Sequence, residues 1–443
     1  MVHILLVTVM FHPPQTPVPP VLQGFPRNMP PLPRNAAGKL RFSAVRRPGG
    51  APLPRDIKVM LVAAFLIALG FGLVAPVLPQ FATTFDVGAT AAAVIVSIFA
   101  FMRLLFAPAG GSLIGRLGER PVYVAGLLIV AASTAACAFA QNYWQLLVFR
   151  GLGGAGSVMF TVASMALVVR LAPPESRGRV SGAYASAFLI GNVCGPVVGG
   201  LLAGFGLRIP FLAYAAALVL AALVVQTQLS HVPGSARGEA GGAPPMKLGE
   251  ALGDSAYRAA MFSSFANGWA TFGVRMATVP LFAVTALGSG PEAAGWALAV
   301  FAAGNALALT VSGRLADSLG RKPMMVAGLV VTGAATAGIG LTQGLEWFLA
   351  ASLLAGVGAG MLNPAQQAAV ADVIGRERSG GPVLAAFQMT SDIGAILGPV
   401  LVGLLADRFG YSLAFAATGA VLLAAALGWL AARESGQKPS PAA

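Results

Sequence analysis

The chain has 443 residues, of which 57% are hydrophobic and only 10% are charged, and 56 are glycines. Because a soluble globular protein carries about 25% charged residues, this composition excludes a water-exposed globular fold. The net charge of +13 does not indicate nucleic-acid binding, since the basic residues form no cluster and no zinc-ligand spacing or RNA-binding aromatic motif is present.

Residues 1–55 differ from the rest of the chain, because they contain twelve prolines, seven basic residues and no acidic residue. The apolar stretch at residues 3–11 is too short to cross a membrane and lacks the basic start of a signal peptide. We interpret residues 1–56 as a disordered, basic, proline-rich tail in the cytosol. The alternative is that the true start of the protein lies nearer Met29 or Met60.

Twelve apolar segments follow, each long enough to cross a bilayer at about 20 residues per crossing. They cover residues 59–82, 90–114, 121–140, 144–170, 180–205, 209–228, 257–285, 292–316, 323–342, 347–373, 382–406 and 411–432. A β-barrel would show a weaker, alternating apolar pattern. We predict an all-α membrane protein with twelve transmembrane helices in two six-helix bundles, at 57–228 and 257–433. A glycine-, proline- and charge-rich cytosolic linker at 229–256 joins them, and a tail at 434–443 follows.

The basic residues predict the orientation of the chain. Arg208 and Arg408 fall in loops opposite the termini, Arg103, Arg150 and Arg275 fall inside spans, and the other 23 basic residues lie on the side of the termini. Lys and Arg are retained on the cytoplasmic side, so we expect both termini in the cytoplasm. Arginine outnumbers lysine 23 to 5, which is typical of a GC-rich bacterial genome. We therefore expect a multi-pass location in a bacterial inner (plasma) membrane. The acidic residues of the outer loops are Asp86, Glu292, Glu346 and Asp407.

The two halves of the chain repeat each other. Residues 110–121 (GGSLIGRLGERP) match 312–323 (SGRLADSLGRKP), 151–156 (GLGGAG) match 355–360 (AGVGAG), and 191–200 (GNVCGPVVGG) match 394–403 (GAILGPVLVG). The offsets are 202, 204 and 203 residues, which indicates two homologous halves. Parallel repeats of this kind place a substrate site at their interface near the bilayer midplane, where rocking of the halves gives alternating access.

This duplicated twelve-span pattern resembles the major facilitator superfamily over nearly all of residues 57–433. The fifth span is similar to the antiporter motif of the family's drug:proton antiporters at Gly182, Gly191, Gly195, Pro196, Gly199 and Gly200. The end of the first span, APVLPQFA at 75–82, is similar to the first-span motif of the twelve-span drug exporters. Small residues let helices approach closely and proline can bend a helix. The resemblance implies a pliable fifth span between the halves; plain close packing is the alternative.

The loop after the second span resembles the family's motif Gly-x-Leu-x-Asp-Arg-x-Gly-Arg-Arg/Lys. The first half has Gly111, Arg116, Gly118 and Arg120, with Gly115 in place of the aspartate and Glu119 in place of an arginine. The second half has Gly313, Asp317, Gly320, Arg321 and Lys322, with Ser318 in place of an arginine. An acid here can cap the N-terminus of a neighbouring helix, so we expect a gate latch that is stronger in the second half. The alternative is that the loop only determines topology.

Asp392 is the only one of the 15 acidic residues that lies mid-span. A charge at mid-membrane costs about 2.5–3.5 kcal/mol, so it normally faces a cavity or a partner. The family architecture places the eleventh span beside the second, which carries Arg103. We hypothesise an Asp392–Arg103 pair that opens when Asp392 takes up a proton; a fixed structural ion pair is the alternative.

Two further arginines lie inside spans. Arg150 opens the fourth-span motif RGLGGAG, and the resemblance implies a role in proton coupling, although Gly153 replaces the family's glutamine. Snorkelling of Arg150 to the outer face is the alternative. Arg275, in the seventh span, could meet an anionic group of a substrate or pair with a backbone carbonyl.

Other polar and aromatic residues within spans are candidates for a substrate cavity. Together with Arg275 they are Asn192, Asn267, Trp269, Phe272, Asn305, Asn363, Gln366 and Gln367. Amides in lipid need partners and usually face inward, although helix–helix hydrogen bonds explain many of them. No nucleophile–base pair, phosphate loop or metal cluster occurs in the sequence, and all three histidines lie outside the apolar segments. We therefore expect no catalytic residue, no cofactor and no metal.

These features together favour a secondary active transporter, not an enzyme, that exports small hydrophobic or cationic, drug-like compounds against entering protons. Its partners would be a small-molecule substrate, protons and the lipid bilayer, without nucleic acid, and we expect it to function as a monomer. One alternative is a transporter of sugar or organic-acid metabolites by symport or uniport; a sugar site would need a more polar cavity. An alternative of another class is a non-transporting membrane receptor or scaffold, against which the glycine motifs and the buried charges argue.

Overall fold

The computed structural model describes residues 54–171, 177–229, 246–375 and 381–435. Within these ranges it leaves undescribed the side chains of residues 108–112, 115, 169–170, 177–179, 181–182, 185, 272, 317 and 381. Most of the expected tail at 1–56, most of the expected linker at 229–256 and residues 436–443 of the expected tail at 434–443 lie outside the described residues. Arg55 and Asp56 already belong to the first helix.

The described residues form helices joined by short connections, and no strand occurs among them. The helices before residue 230 are α1 (Arg55–Val74), α2 (Leu78–Thr83), α3 (Ala89–Leu117), α4 (Glu119–Ala138), α5 (Tyr143–Leu171), α6 (Arg177–Ala203) and α7 (Ile209–Gln228). After residue 245 come α8 (Leu248–Gly253), α9 (Ser255–Gly268), a π helix (Trp269–Thr278), α10 (Val279–Thr285), α11 (Pro291–Leu319), α12 (Arg321–Ile339), α13 (Leu345–Ile374), α14 (Gly381–Phe409) and α15 (Tyr411–Ala431). A helix pairs its backbone groups internally, which is what the water-free bilayer core requires.

Two of the predicted gate glycines form the turns of the repeated loop. Gly118 alone separates α3 from α4, and Gly320 alone separates α11 from α12. Their φ angles of 85° and 102° lie in the left-handed region that glycine adopts without steric cost. The sharp turn therefore explains why both halves have glycine at this position.

Eleven helices of the described part are long and apolar enough to cross a membrane, and they coincide with eleven of the twelve predicted spans. The seventh predicted span, 257–285, is also helical throughout, but it changes to a π helix at Trp269 and back to an α-helix at Val279. Its pieces have 14, 10 and 7 residues, so none alone has the length of a crossing. The prediction of an all-α membrane protein is confirmed, with a composite seventh helix.

Helices α1–α7, which we call the first half, pack mainly on one another, and so do helices α8–α15 with the π helix, which we call the second half. The halves meet chiefly along two helix pairs, in which α3 packs against α14 and α6 packs against α11. We call the end of the bundle that carries Pro54 and Ser435 the terminal end. The opposite end, where α3 begins and α14 finishes, is the far end.

Candidate functional site

The glycines of the fifth-span motif face two different neighbours of α6. A Cβ atom added at Gly191, Gly195 or Gly199 would lie 2.7, 2.6 and 2.3 Å, respectively, from the nearest atom of α1. Only glycine therefore lets α6 lie this close to α1 within the first half. Gly200 faces the second half instead, where an added Cβ would lie 3.1 Å from Cα of Gly295. Gly182 belongs to the stretch of α6 whose side chains are not described.

Gly295 of α11 is the partner of this motif across the halves. A Cβ atom at Gly295 would lie 2.5 Å from the carbonyl oxygen of Pro196. Pro196 also touches α1, since a Cβ at Gly72 would lie 2.8 Å from the proline ring. Pro196 thus lies where α1, α6 and α11 meet. Gly295 lies in none of the recognised motifs, so no sequence pattern identified it.

A helix cap joins the halves at the far end. In the last turn of α14, Oδ1 of Asp407 accepts a hydrogen bond from the backbone N–H of Ala89 (2.8 Å). Its Oδ2 accepts bonds from the N–H (2.8 Å) and the hydroxyl (2.6 Å) of Thr90. The first turn of a helix has unpaired N–H groups at the positive end of its dipole, so an aspartate stabilises it. We call Asp407, Ala89 and Thr90 the far-end latch.

The latch continues along the α3–α14 contact. The hydroxyl of Ser97 donates a hydrogen bond to the carbonyl oxygen of Ile396 (2.8 Å), and an added Cβ at Gly403 would lie 2.9 Å from the carbonyl oxygen of Ala89. The sequence analysis expected a capping acid in the repeated loop and assigned Asp407 only to an outer loop. The available signal was a glycine at the N-cap of α3, Gly88, together with an acid near the end of the eleventh span.

A cavity of about 320 Å³ lies between the halves, bounded by α1 and α6 on one side and by the seventh crossing, α11 and α13 on the other. Its polar lining consists of Asn192, Asn267, Thr271, Arg275, Asn305 and Asn363. Its apolar wall includes Phe71, Leu189, Met276, Leu298 and Phe301. The Gly200–Gly295 contact and the far-end latch lie between this cavity and the far end.

Five of the nine predicted cavity residues, the four asparagines and Arg275, therefore line one cavity. Trp269 lies elsewhere: it is buried, and its Nε1 donates to the hydroxyl of Thr418 (3.1 Å). Gln366 is also buried and joins α13 to α9, since its Nε2 donates to the carbonyl oxygen of Ala260 (3.2 Å) and to the hydroxyl of Ser263 (3.0 Å). Gln367 is exposed, and the side chain of Phe272 is not described.

Arg275 is the charged group of the cavity lining. Its guanidinium carbon lies 3.0 Å from the ring centroid of Phe301, and its Nη1 lies 3.5 Å from the hydroxyl of Thr271. Among the described residues, no carboxylate lies within ion-pair distance of Arg275. The residue belongs to the π helix. This conformation is rare in proteins, and where it occurs it is often found at functional sites. Sequence patterns gave no signal for the π helix, for Thr271 or for Phe301.

The four asparagines of the lining keep part of their hydrogen-bonding capacity. Asn192 donates to the carbonyl oxygen of Phe188 in its own helix (3.0 Å). Nδ2 of Asn267 lies 3.4 Å from Oδ1 of Asn363, which is a long contact for a hydrogen bond. Oδ1 of Asn305 is buried and has no partner in the described structure. The lining thus offers a cation and several amides to a molecule in the cavity.

Asp392 and Arg103 face each other across the halves. Both are half-buried, Asp392 in α14 and Arg103 in α3, which packs against α14. The two charges lie near enough to act on each other through space. In the described residues no ion pair within 4 Å joins the two. The geometry is therefore that of two attracting charges that are not in direct contact.

Arg150 lies inside the first half. It keeps only 7% of its surface exposed, so its side chain does not snorkel to a membrane surface. Its guanidinium carbon lies 4.2 Å from the ring centroid of Phe99 in α3, and its Nε is buried without a hydrogen-bond partner in the described structure.

The basic residues of the repeated loop make contacts within their own halves. Arg120 donates to the carbonyl oxygen of Gln226, and Arg116 is exposed. Nε of Arg321 lies 3.3 Å from a carboxylate oxygen of Asp372. Nζ of Lys322 donates to the carbonyl oxygens of Leu430 and Ala432 at 2.7 and 2.8 Å.

In this loop the helix cap comes from Glu434, which accepts hydrogen bonds from the backbone N–H groups of Arg321 and Lys322 at the start of α12. The loop acid expected to cap a helix, Asp317, has an undescribed side chain. The surroundings of Gly111 are not described either, and a Cβ atom added at Gly313 would meet no atom within 4 Å.

The helical fold, the two contacts between the halves and the polar cavity between them define a multi-pass membrane protein with a cavity between its two halves. Two stretches of the chain, residues 60–278 and 260–443, match the model of the Major Facilitator Superfamily. The chain belongs to this family, which confirms the resemblance inferred from its motifs. It is accordingly a multi-pass membrane protein of a transporter family and not an enzyme.

Similar proteins include bacterial resistance proteins. The quinolone resistance protein NorA of Staphylococcus aureus is 29% identical over 179 residues, which are 40% of this chain and 46% of NorA. Multidrug resistance protein 2 of Bacillus subtilis is 30% identical over 166 residues, 38% of this chain and 41% of that protein. The chain thus matches less than half the length of these relatives.

Among solved structures, a bacterial homologue of the human lysosomal transporter Spinster, in an inward-facing and occupied conformation, superimposes with a TM-score of 0.72. The identity is 18%, over 86% of this chain and 97% of that one. At this identity the similarity concerns the fold alone.

Proposed function

We propose that this transporter exports small, largely apolar molecules in exchange for protons, by alternating access of the cavity between the halves. The similarity to NorA and to Multidrug resistance protein 2 supports export of drug-like compounds. The apolar wall with Phe71 and Phe301 supports a substrate of largely apolar character, since drug-sized ligands bury most of their surface against such walls.

The structure corresponds in this proposal to a state open toward the cytoplasm. The excess of Lys and Arg on the side of the termini supports a cytoplasmic terminal end and a bacterial inner membrane location. The far-end latch and the Gly200–Gly295 contact would then form the closed outer gate. Opening this gate requires α3 to separate from α14 and α6 from α11.

The proposed proton carrier is Asp392, and the single observation that carries the proposal is that Asp392 and Arg103 lie on α14 and α3, two helices that pack together across the halves. Protonation would remove the attraction between these helices, so that the outer gate opens. Arg150 is proposed to assist proton coupling. It is buried against Phe99 of α3, so it adds positive charge next to the helix that carries Arg103.

Proteoliposomes containing a pH-sensitive dye test this proposal. We expect ethidium, a lipophilic cation, or 2-naphthoate, an aromatic carboxylate, to drive proton movement in the wild type and in Asp86→Asn, but not in Asp392→Asn. Asp86 is a matched control, because it is an exposed acid whose φ of 59° asparagine also tolerates. Proton movement that persists in Asp392→Asn would make Asp392 a structural charge, and uptake of either compound without proton movement in the wild type would contradict coupling.

Uptake of an organic-acid metabolite, by symport or uniport, is a second candidate function. The cationic Arg275 in the cavity lining favours it. The two candidates differ in direction: under a proton gradient directed into the vesicle, a symporter accumulates the carboxylate inside, whereas an antiporter expels it.

A further inference from the structure

The charge of the central cavity differs from that expected for a transporter of cationic compounds. The described lining contains one cation, Arg275, and no acidic side chain. An arginine remains protonated in proteins, and an unpaired charge at mid-membrane costs about 2.5–3.5 kcal/mol. A molecule with a negative charge would offset this cost, whereas an organic cation would add repulsion to it.

The orientation of Arg275 leaves its hydrogen-bond donors available. The guanidinium lies on the Phe301 ring, 3.0 Å from the ring centroid. The N–H bonds of a guanidinium point outward in its own plane, so stacking on a ring holds the plane without using those donors. The contact with Thr271, at 3.5 Å, uses at most one of them. A guanidinium held in this way can bind a carboxylate through two parallel hydrogen bonds.

The neighbouring asparagine adds a second determinant. Asn305 lies one helical turn after Phe301 on α11, lines the same cavity and has a buried Oδ1 without a partner in the described structure. A buried acceptor of this kind costs about 1–3 kcal/mol unless it receives a hydrogen bond. A hydroxyl or N–H group on the bound molecule would supply it.

We propose that the cavity binds organic anions, specifically aromatic carboxylates that also carry a hydrogen-bond donor. Arg275, seated on Phe301, binds the carboxylate, and the Asn305 amide accepts from the donor. This proposal rests on the proposed function only in treating the cavity as the transport site, and it holds for export and for uptake.

Equilibrium binding to the purified full chain in detergent tests the proposal without requiring transport. The probes share one ring system and differ in charge: 2-naphthoate, 2-naphthamide and 2-naphthylmethylamine, with 6-hydroxy-2-naphthoate as the carboxylate that has a donor. We expect the wild type to bind 2-naphthoate at least tenfold more tightly than the amide or the amine, and the hydroxylated acid more tightly still. Equal binding of all probes, or preference for the amine, would overturn the proposal.

Substitutions at two residues of the lining assign the preference to the cavity. Arg275→Gln should remove the preference for the carboxylate, and Arg275→Lys should retain part of it. Asn305→Asp is nearly isosteric and adds a negative charge beside an intact Arg275, so it should also weaken carboxylate binding at least tenfold. Arg258→Gln is the charge-matched control, because Arg258 lies on the same crossing but bonds the carbonyl oxygen of Leu252, away from the cavity. An unchanged preference in both Arg275→Gln and Asn305→Asp would contradict the site.

An anionic lipid headgroup shares this chemistry, so the titration is repeated with phosphatidylglycerol added. Unchanged naphthoate affinity supports a small-molecule site. Complete loss of naphthoate binding in the presence of this lipid would assign the anion site to lipid and overturn the proposal. Because binding is read without protons or gradients, failure of the proton-movement experiment leaves this result interpretable, and the reverse also holds.

Discussion

Two arginines in the membrane-spanning part are seated on phenylalanine rings, Arg150 on Phe99 and Arg275 on Phe301. The two phenylalanines are 202 residues apart, the offset at which the repeated loop recurs, so they occupy equivalent positions on α3 and α11. The arginines are not equivalent, since one comes from α5 and the other from the π helix. Equivalent phenylalanines of the two halves thus each contact an arginine. The arginine is inside the first half in one case and lines the cavity in the other.

Replacing Phe301 tests whether its ring positions Arg275 for anion binding. A cation–π contact contributes about 0.5–2 kcal/mol, so Phe301→Leu should weaken 2-naphthoate binding by between about twofold and thirtyfold while the charge of Arg275 remains. Titration calorimetry measures the change. Phe99→Leu is the matched control, and equal weakening in both variants would show that the effect comes from general loosening of the bundle.

Asp254 illustrates a pH-dependent contact outside the membrane-spanning segments. Its carboxylate accepts from the N–H of Ala256 at the start of α9 (2.9 Å) and from the guanidinium of Arg433. The hydrogen bond from Arg433 holds the pKa of Asp254 below its ordinary value. The ionised carboxylate stabilises the fold fully when the pH is above the pKa of aspartate in the unfolded chain, about 3.9. This contribution is lost as the pH falls through the lower pKa that Asp254 has in the folded protein.

We therefore expect Asp254→Asn to lower the melting temperature at about pH 7, with a difference that shrinks toward about pH 3, below the unfolded pKa. Thermal unfolding followed by tryptophan fluorescence in detergent measures both ends of this range. Asp86→Asn, which alters an exposed acid, should show little difference from the wild type at either pH. A constant difference between Asp254→Asn and the wild type would contradict a contribution from the carboxylate charge.

At the scale of helices, the far-end latch is a cap that one half supplies to the other. Asp407 of α14 caps α3, whereas Glu434 caps α12 within the second half. Opening the far end breaks the first cap and leaves the second intact. In the proposed alternating-access cycle the latch would stabilise one conformation, while the Glu434 cap would stabilise the fold of its half in either conformation.

Loss of the latch should shift the conformational equilibrium. A hydrogen bond to a charged group contributes about 1.5–3 kcal/mol, so Asp407→Ala should raise the ratio of far-end-open to far-end-closed molecules by about tenfold or more. Spin labels at Phe139 and Leu341, exposed residues at the far ends of α4 and α12, report the distance by pulsed electron resonance, with Cys137 and Cys194 replaced by serine. Asp254→Asn, which removes a charge from a cap within one half, should leave the distance distribution unchanged. An unchanged distribution in Asp407→Ala would rule out the latch.

Glycines of α6 and α11 should separate effects on folding from effects on the conformational equilibrium. In Gly295→Ala the new Cβ meets the carbonyl oxygen of Pro196 at 2.5 Å, so α11 cannot stay against α6 and the far-end-open state should gain population. In Gly199→Ala the new Cβ meets Leu73 within the first half at 2.3 Å, so thermal stability should fall instead. The same label distance and a melting curve measure both effects. A stability loss without a distance change in Gly295→Ala would contradict the assignment.

For the whole molecule, the sequence predicts the fold closely and the site only in part. Each of the twelve predicted spans ends within four residues of the observed helix ends, because a bilayer demands long apolar helices and charges mark their limits. The asparagines and Arg275 were recognisable as polar residues in apolar segments. The seating of Arg275 on Phe301 and the cap of α3 by Asp407 join distant parts of the chain, and the π helix has no sequence period to read. These features depend on packing between crossings and become visible only in three dimensions.

In the proposed mechanism, protonation of Asp392 controls the opening of the far end. The most direct test is the label distance between residues 139 and 341 in the wild type and in Asp392→Asn across a range of pH. We predict that lowering the pH lengthens this distance in the wild type, and that Asp392→Asn shows the long distance at every pH. A distance that is independent of pH in the wild type, or a short distance in Asp392→Asn, would contradict it.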